Sequence, residues 1–318
     1  MLYAYTSAGA GLTPLPRDED LASALWIDLY RPLDSQVASV AALGYDIPTL
    51  EDMEEIEISN RLYLDHGTIY MTGVLPGHLP DGQNTAMPVT FILNAQRLVT
   101  VRHHAPRPFE TFPTRADRSS AGCANPERIF LGLVEEIIGR LADISEGVSK
   151  VLDATAGRVL SKTATGDAFL QTALVTIGQQ AEAMSRVRMG LLSMDRIVVY
   201  HAANAPQRAD GQSTRAVRAA IQRDIQALEV HADFLTSRIG MTIDATMGMI
   251  GLQQNERVRI LSVMTALFLP PTLISSFYGM NFVDFPTLNW AMGIPMAIGL
   301  MFVSVLVVVF VLKYKDWL

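Results

Sequence analysis

Cysteine is almost absent from this 318-residue chain: Cys123 stands alone. A single thiol can form neither an intrachain disulfide nor a cysteine metal cluster. Positive charge is not in excess either. The 25 Lys and Arg face 32 Asp and Glu, leaving a net charge of −7 and a pI of about 5.4. A nucleic-acid partner is therefore not expected. Residues 1–25 lack a basic stretch followed by an apolar one, so no signal peptide is expected and the soluble part fits the cytosol. Catalytic signatures are missing too. His66, His78, His103, His104, His201 and His231 show no HExxH-type spacing, and neither a GxGxxG run nor a P-loop lysine occurs. No enzyme and no organic cofactor is expected. His103-His104, at a predicted strand end, reads as surface.

The most informative scarcity is of charge near the C-terminus. Between Arg259 and Lys313 the only charged residue is Asp284, which leaves uncharged runs of 24 residues (260–283) and 28 residues (285–312). A hydrocarbon core of about 30 Å takes roughly 20 apolar residues as a helix, so each run can span a bilayer. A purely soluble protein is excluded. So is a many-span transporter in one chain, because nothing before residue 260 is long and apolar enough. What remains is a soluble part of 259 residues and a two-span anchor in the lipid bilayer. Arg257 and Arg259 precede the first span, Lys313 and Lys315 follow the second, and the segment between, 279–290, has no Lys or Arg. The positive-inside rule then predicts a multi-pass protein of the cell inner (plasma) membrane with both termini cytoplasmic. Tyr278, Trp290, Tyr314 and Trp317 sit where an aromatic belt would.

The periodicity divides the chain. Residues 1–122 read as a cytosolic mixed α/β domain: a short apolar run at 25–29, hairpins at 61–75 (around Asp65-His66-Gly67) and 89–103 (around Asn94-Ala95), and helical patches at 35–43 and 49–56. The Pro-, Ser- and Gly-containing stretch 106–126 reads as a loop. From there the period changes to 3.6, and 123–212 is expected as a cytosolic helical hairpin with helices at 127–162 and 167–200 and a loop at 202–213. Residues 213–281 are expected as a long stalk helix that becomes the first span at about 260–281. An extracytoplasmic loop (282–290), a second span (291–312) and a cytosolic tail (313–318) complete the chain. The predicted class is an α+β membrane protein.

Within the stalk, Ile221, Ile225, Leu228, Ala232, Leu235, Ile239, Thr242, Thr246 and Met249 alternate at 4,3 spacing. Such a seam packs against other helices, either in a coiled coil or inside one chain. As one helix, 214–280 is about 100 Å long, of which only about 30 Å fits the hydrocarbon core. The preferred reading is a stalk that self-associates through this seam.

Two spans cannot enclose an ion path, whereas several copies around an axis can. Continued at 4,3 spacing, the face that would line such an axis holds Asp244, Gly248, Gly251, Asn255, Val258, Ser262, Thr265, Leu269, Thr272 and Ser276. Polar groups in a membrane are costly unless they face protein or water. A wet path with apolar constrictions is one reading; small-residue packing between lipid-embedded helices is the other, and spacing alone leaves both open.

The residues also carry a resemblance. Phe268-Leu269-Pro270-Pro271-Thr272-Leu273, then Tyr278-Gly279-Met280-Asn281-Phe282, then Pro286 and Trp290, and the ending Lys313-Tyr314-Lys315-Asp316-Trp317-Leu318 resemble the CorA family of divalent-cation transporters. Trp26-Ile27-Asp28-Leu29 and Leu50-Glu51-Asp52 resemble it more loosely. The resemblance implies a homopentameric funnel that takes up hydrated Mg²⁺ down the membrane potential. Gly279, Met280 and Asn281 would be the selectivity filter. Asn255, Val258, Leu261, Leu269 and Thr272 would line the pore, with Val258, Leu261 and Leu269 as its constriction, and Ser262, Thr265 and Ser276 join them by the spacing of the stripe. It further implies that Mg²⁺ is both substrate and regulatory ligand, held between subunits by Glu51 and Asp52 on one side and Asp244 on the other. Asp284 is the one acidic candidate at the outer mouth. The ZntB branch shares this architecture and is linked to Zn²⁺. The Tyr278–Phe282 run points to CorA, and the sparse loop charge points to the other branch. Co²⁺ and Ni²⁺ are further candidate ions. A membrane-tethered receptor or scaffold is the more remote alternative, with no role for the polar stripe.

Overall fold

The computed structural model describes residues 1–8, 11–16, 20–161, 166–204, 211–280, 292–315 and 317. It divides into two compact units, one of Met1–Thr163 and Thr172–Ile243, the other of Ala164–Gln171 and Asp244–Leu318.

The first unit is built on a seven-stranded sheet of β1 (Leu2–Ala8), β2 (Gly11–Pro14), β3 (Trp26–Tyr30), β4 (Leu62–Asp65), β5 (Thr68–His78), β6 (Asn84–Leu93) and β7 (Leu98–Arg102). The order is β2-β1-β3-β7-β6-β5-β4. Only β3 and β7 pair in parallel, in the register Trp26↔Leu98 to Tyr30↔Arg102. The β4–β5 turn sits at Asp65-His66-Gly67, where His66 (φ 46°) and Gly67 (φ 80°) both take left-handed backbone. That is the geometry a two-residue hairpin loop requires.

Both faces of the sheet are covered, so its strands bury both sets of alternating side chains. On one face Ile27, Leu29, Tyr70, Ile92, Val99 and Val101 pack with Val40 and Met53. Val40 belongs to α1 (Asp34–Ala41) and Met53 to α2 (Leu50–Glu54); α3 (Ile58–Arg61) leads into β4. On the other face Trp26, Met71, Val89, Phe91 and Leu98 join the helical core. That core is supplied by α4 (Pro108–Arg115), α5 (Pro126–Val159), α6 (Asp167–Asn204) and the N-terminal part of α7 (Gly211–Tyr278). Helix α6 comes so close to β5 that a Cβ on Gly73 would lie 2.7 Å from Ile197 Cδ1. Asn125 starts α5, its side chain accepting from Arg128 N at 2.9 Å, with Pro126 in the first turn.

Four expectations are corrected. Residues 106–126 are not simply a loop, because they hold α4 and a 3₁₀ turn at Ala116–Arg118. Pro108 stands in the first turn, where proline is tolerated; Pro113 lies inside the helix, and Phe109, Phe112 and Ala116, spaced three and four apart, are buried. Helix α6 continues past Tyr200 to Asn204, into the expected loop. His104 is fully buried rather than on the surface, its Nε2 2.8 Å from Leu75 O. The 4,3 seam is the fourth. Ile221, Ile225, Ala232, Leu235 and Ile239 are buried inside the chain's own helical core. The seam is therefore occupied within one chain and is not free to join a second copy.

The second unit holds the membrane-proximal part of α7 and helix α8 (Gly293–Tyr314). Both helices are long and apolar enough to cross a membrane. Helix α7 runs unbroken through Pro270 and Pro271 to Tyr278.

Candidate functional site

The stripe from Asn255 to Ser276 lies along α7, with positions four and three residues apart returning to one face of the helix. In the single chain the whole span is uncovered, and this face with it: Val258 is 58% exposed, Leu261 68% and Leu269 65%, beside Phe268 at 67% and Leu273 at 70% off the stripe. Asn255, Thr265, Thr272 and Ser276 are exposed as well, and Ser262 is half-buried. The same register extends toward the N-terminus through Met241 and Phe234 to Val230, all exposed. Sequence reasoning began the stripe at Asp244 and missed this extension. Residues 230, 234, 237 and 241 continue the same alternation, so the spacing carries the extension.

Two hydroxyls on the stripe have a defined polarity. Thr265 Oγ1 donates to Leu261 O at 2.9 Å, and Thr272 Oγ1 donates to Phe268 O at 2.6 Å. Each proton is thus given to the hydroxyl's own helix, and the lone pairs remain as acceptors. Water bound to a cation presents donors, so such a face suits a hydrated cation better than an anion. Beyond Tyr278, Gly279 N still bonds Ser275 O (3.0 Å) and Met280 N reaches Phe277 O (3.4 Å). Gly279 and Met280, expected as filter residues, thus follow directly on the C-terminal end of a 68-residue helix, where the macrodipole is negative. Asn281 and Asp284 lie outside the described residues.

Glu51 and Asp52 occupy the first turn of α2, both exposed. Asp52 closes a capping box with Thr49: its Oδ2 accepts from Thr49 N (2.8 Å) and from Thr49 Oγ1 (2.6 Å), while Asp52 N donates to Thr49 Oγ1 (3.3 Å). These bonds hold the Asp52 carboxyl below the usual range, the side-chain bond to Thr49 being the larger cause. Asp52 also lines a cavity of about 440 Å³ together with Asp46 and Glu55, two carboxylates the sequence did not single out. Asp244 is exposed on α7 and belongs to the other unit. Among the described residues no group of three or more His, Cys, Asp or Glu side chains stands ready to hold a metal.

Away from these candidates, Asp28 and Arg102 form a fully buried ion pair on the β3–β7 ladder (Nη2 to Oδ2, 2.9 Å). Thr100 donates to Asp28 Oδ1 (2.8 Å) and accepts from Trp26 Nε1 (3.0 Å). The Arg102 guanidinium lies over the rings of Tyr30 (4.4 Å) and Phe109 (5.1 Å). Its paired, stacked and enclosed setting makes it a structural feature.

Fold and stripe together define a membrane-anchored protein in which one long helix runs from a mixed α/β unit into the first of two apolar C-terminal helices. The chain belongs to the CorA family: the family model described as "CorA-like Mg2+ transporter protein" matches residues 22–314. It is 32% identical over 321 residues to a magnesium transport protein CorA of Yersinia pseudotuberculosis, covering all of both chains. Among solved structures it resembles the complete CorA magnesium transporter of Methanocaldococcus jannaschii, with a TM-score of 0.76 at 16% identity over 100% of this chain and 99% of that one. The ZntB cytoplasmic domain of Vibrio parahaemolyticus matches more weakly, with a TM-score of 0.56 at 9% identity over 77% of this chain and 96% of that one.

Proposed function

We propose that this chain is a Mg²⁺ transporter that conducts the hydrated ion down the membrane potential, assembled as a homopentamer around the stripe face of α7. The observation that carries the reading is the run of hydroxyls and an amide on one face of the uncovered span, from Asn255 to Ser276, which leads to Gly279 and Met280. A span whose polar face had no partner would be unfavourable in lipid, and a ring of copies gives that face water. The potential supplies about 2.3 kcal/mol per charge per 100 mV, and about twice that for a divalent ion.

In this mechanism Asn281 carbonyls at the outer end accept hydrogen bonds from the ion's water. Mg²⁺ dehydrates reluctantly and prefers oxygen, and neutral amides hold it weakly enough to let it pass. Asp284 concentrates cations at the outer mouth. Thr272 and Thr265 offer further acceptors along the way, and the negative helix ends favour a cation at the filter. Leu269, Leu261 and Val258 form the constriction, which blocks flow by dewetting when the ring is tight. Both termini are cytoplasmic, and the protein sits in the cell inner membrane. Glu51, Asp52 and Asp244 hold regulatory Mg²⁺ between subunits. Facing carboxylates repel without a cation, so loss of internal Mg²⁺ loosens the ring and opens it. Soft-metal transport has less support, since no His or Cys occurs beyond residue 231.

The test is flux into proteoliposomes with a potential negative inside, read with Mg²⁺- and Zn²⁺-sensitive dyes. The account expects Mg²⁺ influx that Asn281→Ala abolishes. Zn²⁺ influx without Mg²⁺ influx would move the chain to the ZntB branch. Absence of both, in a preparation shown to be pentameric and across a range of internal Mg²⁺, would remove the transport reading.

A further inference from the structure

A second cavity, of about 160 Å³, lies in the soluble unit, remote in sequence from the stripe. Arg107, Arg140, Arg186, His78, Asn84 and Thr85 line it, and no carboxylate is among its described lining residues. This runs against the balance of a chain with net charge −7. The three guanidinium groups come from three different elements. Arg140 is on α5, Arg186 on α6, and Arg107 immediately precedes α4.

The site is built rather than incidental. Arg107 stands between Pro106 and Pro108, both buried. The chain just before it is pinned to the end of β5, with His78 N donating to Ala105 O (3.2 Å) and Ala105 N to His78 O (2.9 Å). The approach is tight: a Cβ on Gly77 would lie 2.8 Å from Pro106 N. Backbone that close requires glycine, and it sets Arg107 beside His78.

The guanidinium charges are incompletely neutralised. Arg186 pairs with Glu182 (2.6 Å), whose side chain is 70% exposed. Asp143 stands 4.0 Å from Arg140, beyond hydrogen-bonding distance. Arg107 has no ion pair among the described residues. An adjoining cavity of about 390 Å³ shares Arg107 and Arg140, but there they and Arg115 face Glu135, Glu136 and Asp143, three acids for three bases. Over the two cavities four arginines meet these three acids and Glu182, so the positive character of the smaller cavity is one of position: its described lining holds three guanidinium groups and no carboxylate.

We propose that this smaller cavity binds a phosphoryl oxyanion. Guanidinium forks match the paired oxygens of phosphate, and charge-assisted bonds of this kind are short and strong. Asn84 and Thr85 add neutral donors. The site stands independently of the conduction reading.

The test is calorimetry on the full-length chain in detergent, at low ionic strength and with chelator present, so that metal binding by the anion contributes no heat. Inorganic phosphate, pyrophosphate and ATP are titrated separately, with sodium chloride at matched ionic strength as the blank. The expected result is one saturable site per chain for at least one of the three, and which of them binds identifies a free or a nucleotide phosphate as the source. Arg107→Ala and Arg140→Ala should each weaken that binding about tenfold or more. Arg115→Ala, in the charge-balanced cavity, should leave it within about twofold. Arg107 is exposed and unpaired, so its variant should melt like wild type without anion and separates lost binding from lost folding. No saturable heat from any probe up to about 10 mM, or wild-type binding in both the Arg107 and Arg140 variants, would overturn the proposal.

Discussion

Helix α7 carries two stripes with the same 4,3 spacing and different fates. From Ile221 to Ile239 the stripe is aliphatic and buried in the chain's own core. From Asn255 to Ser276 it is mixed with hydroxyls and an amide, and it is open. Periodicity identifies a helix face; the side chains on that face and the elements folded beside it determine what covers it. The first stripe has α5 and α6 in the same core. The second lies where no face of the span is covered in the single chain, and its hydroxyls and amide are why its partner is proposed to be water and further copies of the chain.

Substitutions can break that contrast, and the largest effect is expected outside both stripes. Arg102→Met leaves Asp28 buried without its partner and should cost about 3–5 kcal/mol of stability, read as a large fall in the thermal midpoint. Leu235→Ala, on the buried stripe, should cost about 2–5 kcal/mol and leave flux per folded protein unchanged. Leu269→Ala, on the open stripe, should behave in the opposite way. Its stability should stay within about 0.5 kcal/mol, while a wider constriction should raise Mg²⁺ flux at high internal Mg²⁺. If Leu235→Ala changed flux and Leu269→Ala only stability, the two stripes would have been assigned the wrong way round.

A smaller, pH-dependent effect should arise in the first unit alone. Burial pushes the pKa of His104 down to about 4 and that of His201 down to about 3, the latter helped by the Arg218 charge. Both are neutral in the fold, whereas the unfolded chain takes up a proton near pH 6.5. The unfolded state therefore binds more protons below that pH, and stability falls as pH drops from about 6.5. The slope is up to about 1.4 kcal/mol per pH unit for each histidine, levelling off near pH 4 for His104 and near pH 3 for His201. A double His104→Gln, His201→Gln variant should show a flatter midpoint against pH. The smallest effect is at Thr49. Thr49→Ala removes the α2 cap at a cost of about 1 kcal/mol, and the Asp52 carboxyl should return toward its usual range by NMR titration.

Much of this was legible in the sequence wherever one force dominates. The two spans follow from the absence of charge, and the β4–β5 hairpin from Asp65-His66-Gly67 between alternating runs. The polar stripe follows from helical spacing alone. What was not legible depended on long-range neighbours. The burial of His104 follows from its bond to Leu75 and from the packing of β7, which no local pattern near residue 104 reveals. Helix α4 hides behind its prolines, although the spacing of Phe109, Phe112 and Ala116 carries it. The occupied seam needed α5 and α6 to be placed before its partner could be known. The arginine cavity draws on residues between 78 and 186, a separation at which sequence pattern carries no information.

The central claim is that the open stripe of α7 faces water in the conduction path. With Cys123 replaced by serine, the chain has no thiol, and single cysteines can be introduced as Thr265→Cys, Leu269→Cys and Thr272→Cys, beside Val263→Cys and Leu267→Cys on the far side of the helix. A membrane-impermeant thiol reagent is then applied to reconstituted protein while Mg²⁺ flux is followed. The account predicts modification and loss of flux at 265, 269 and 272, with 263 and 267 inert. Reaction at 263 and 267 with the other three silent would contradict it.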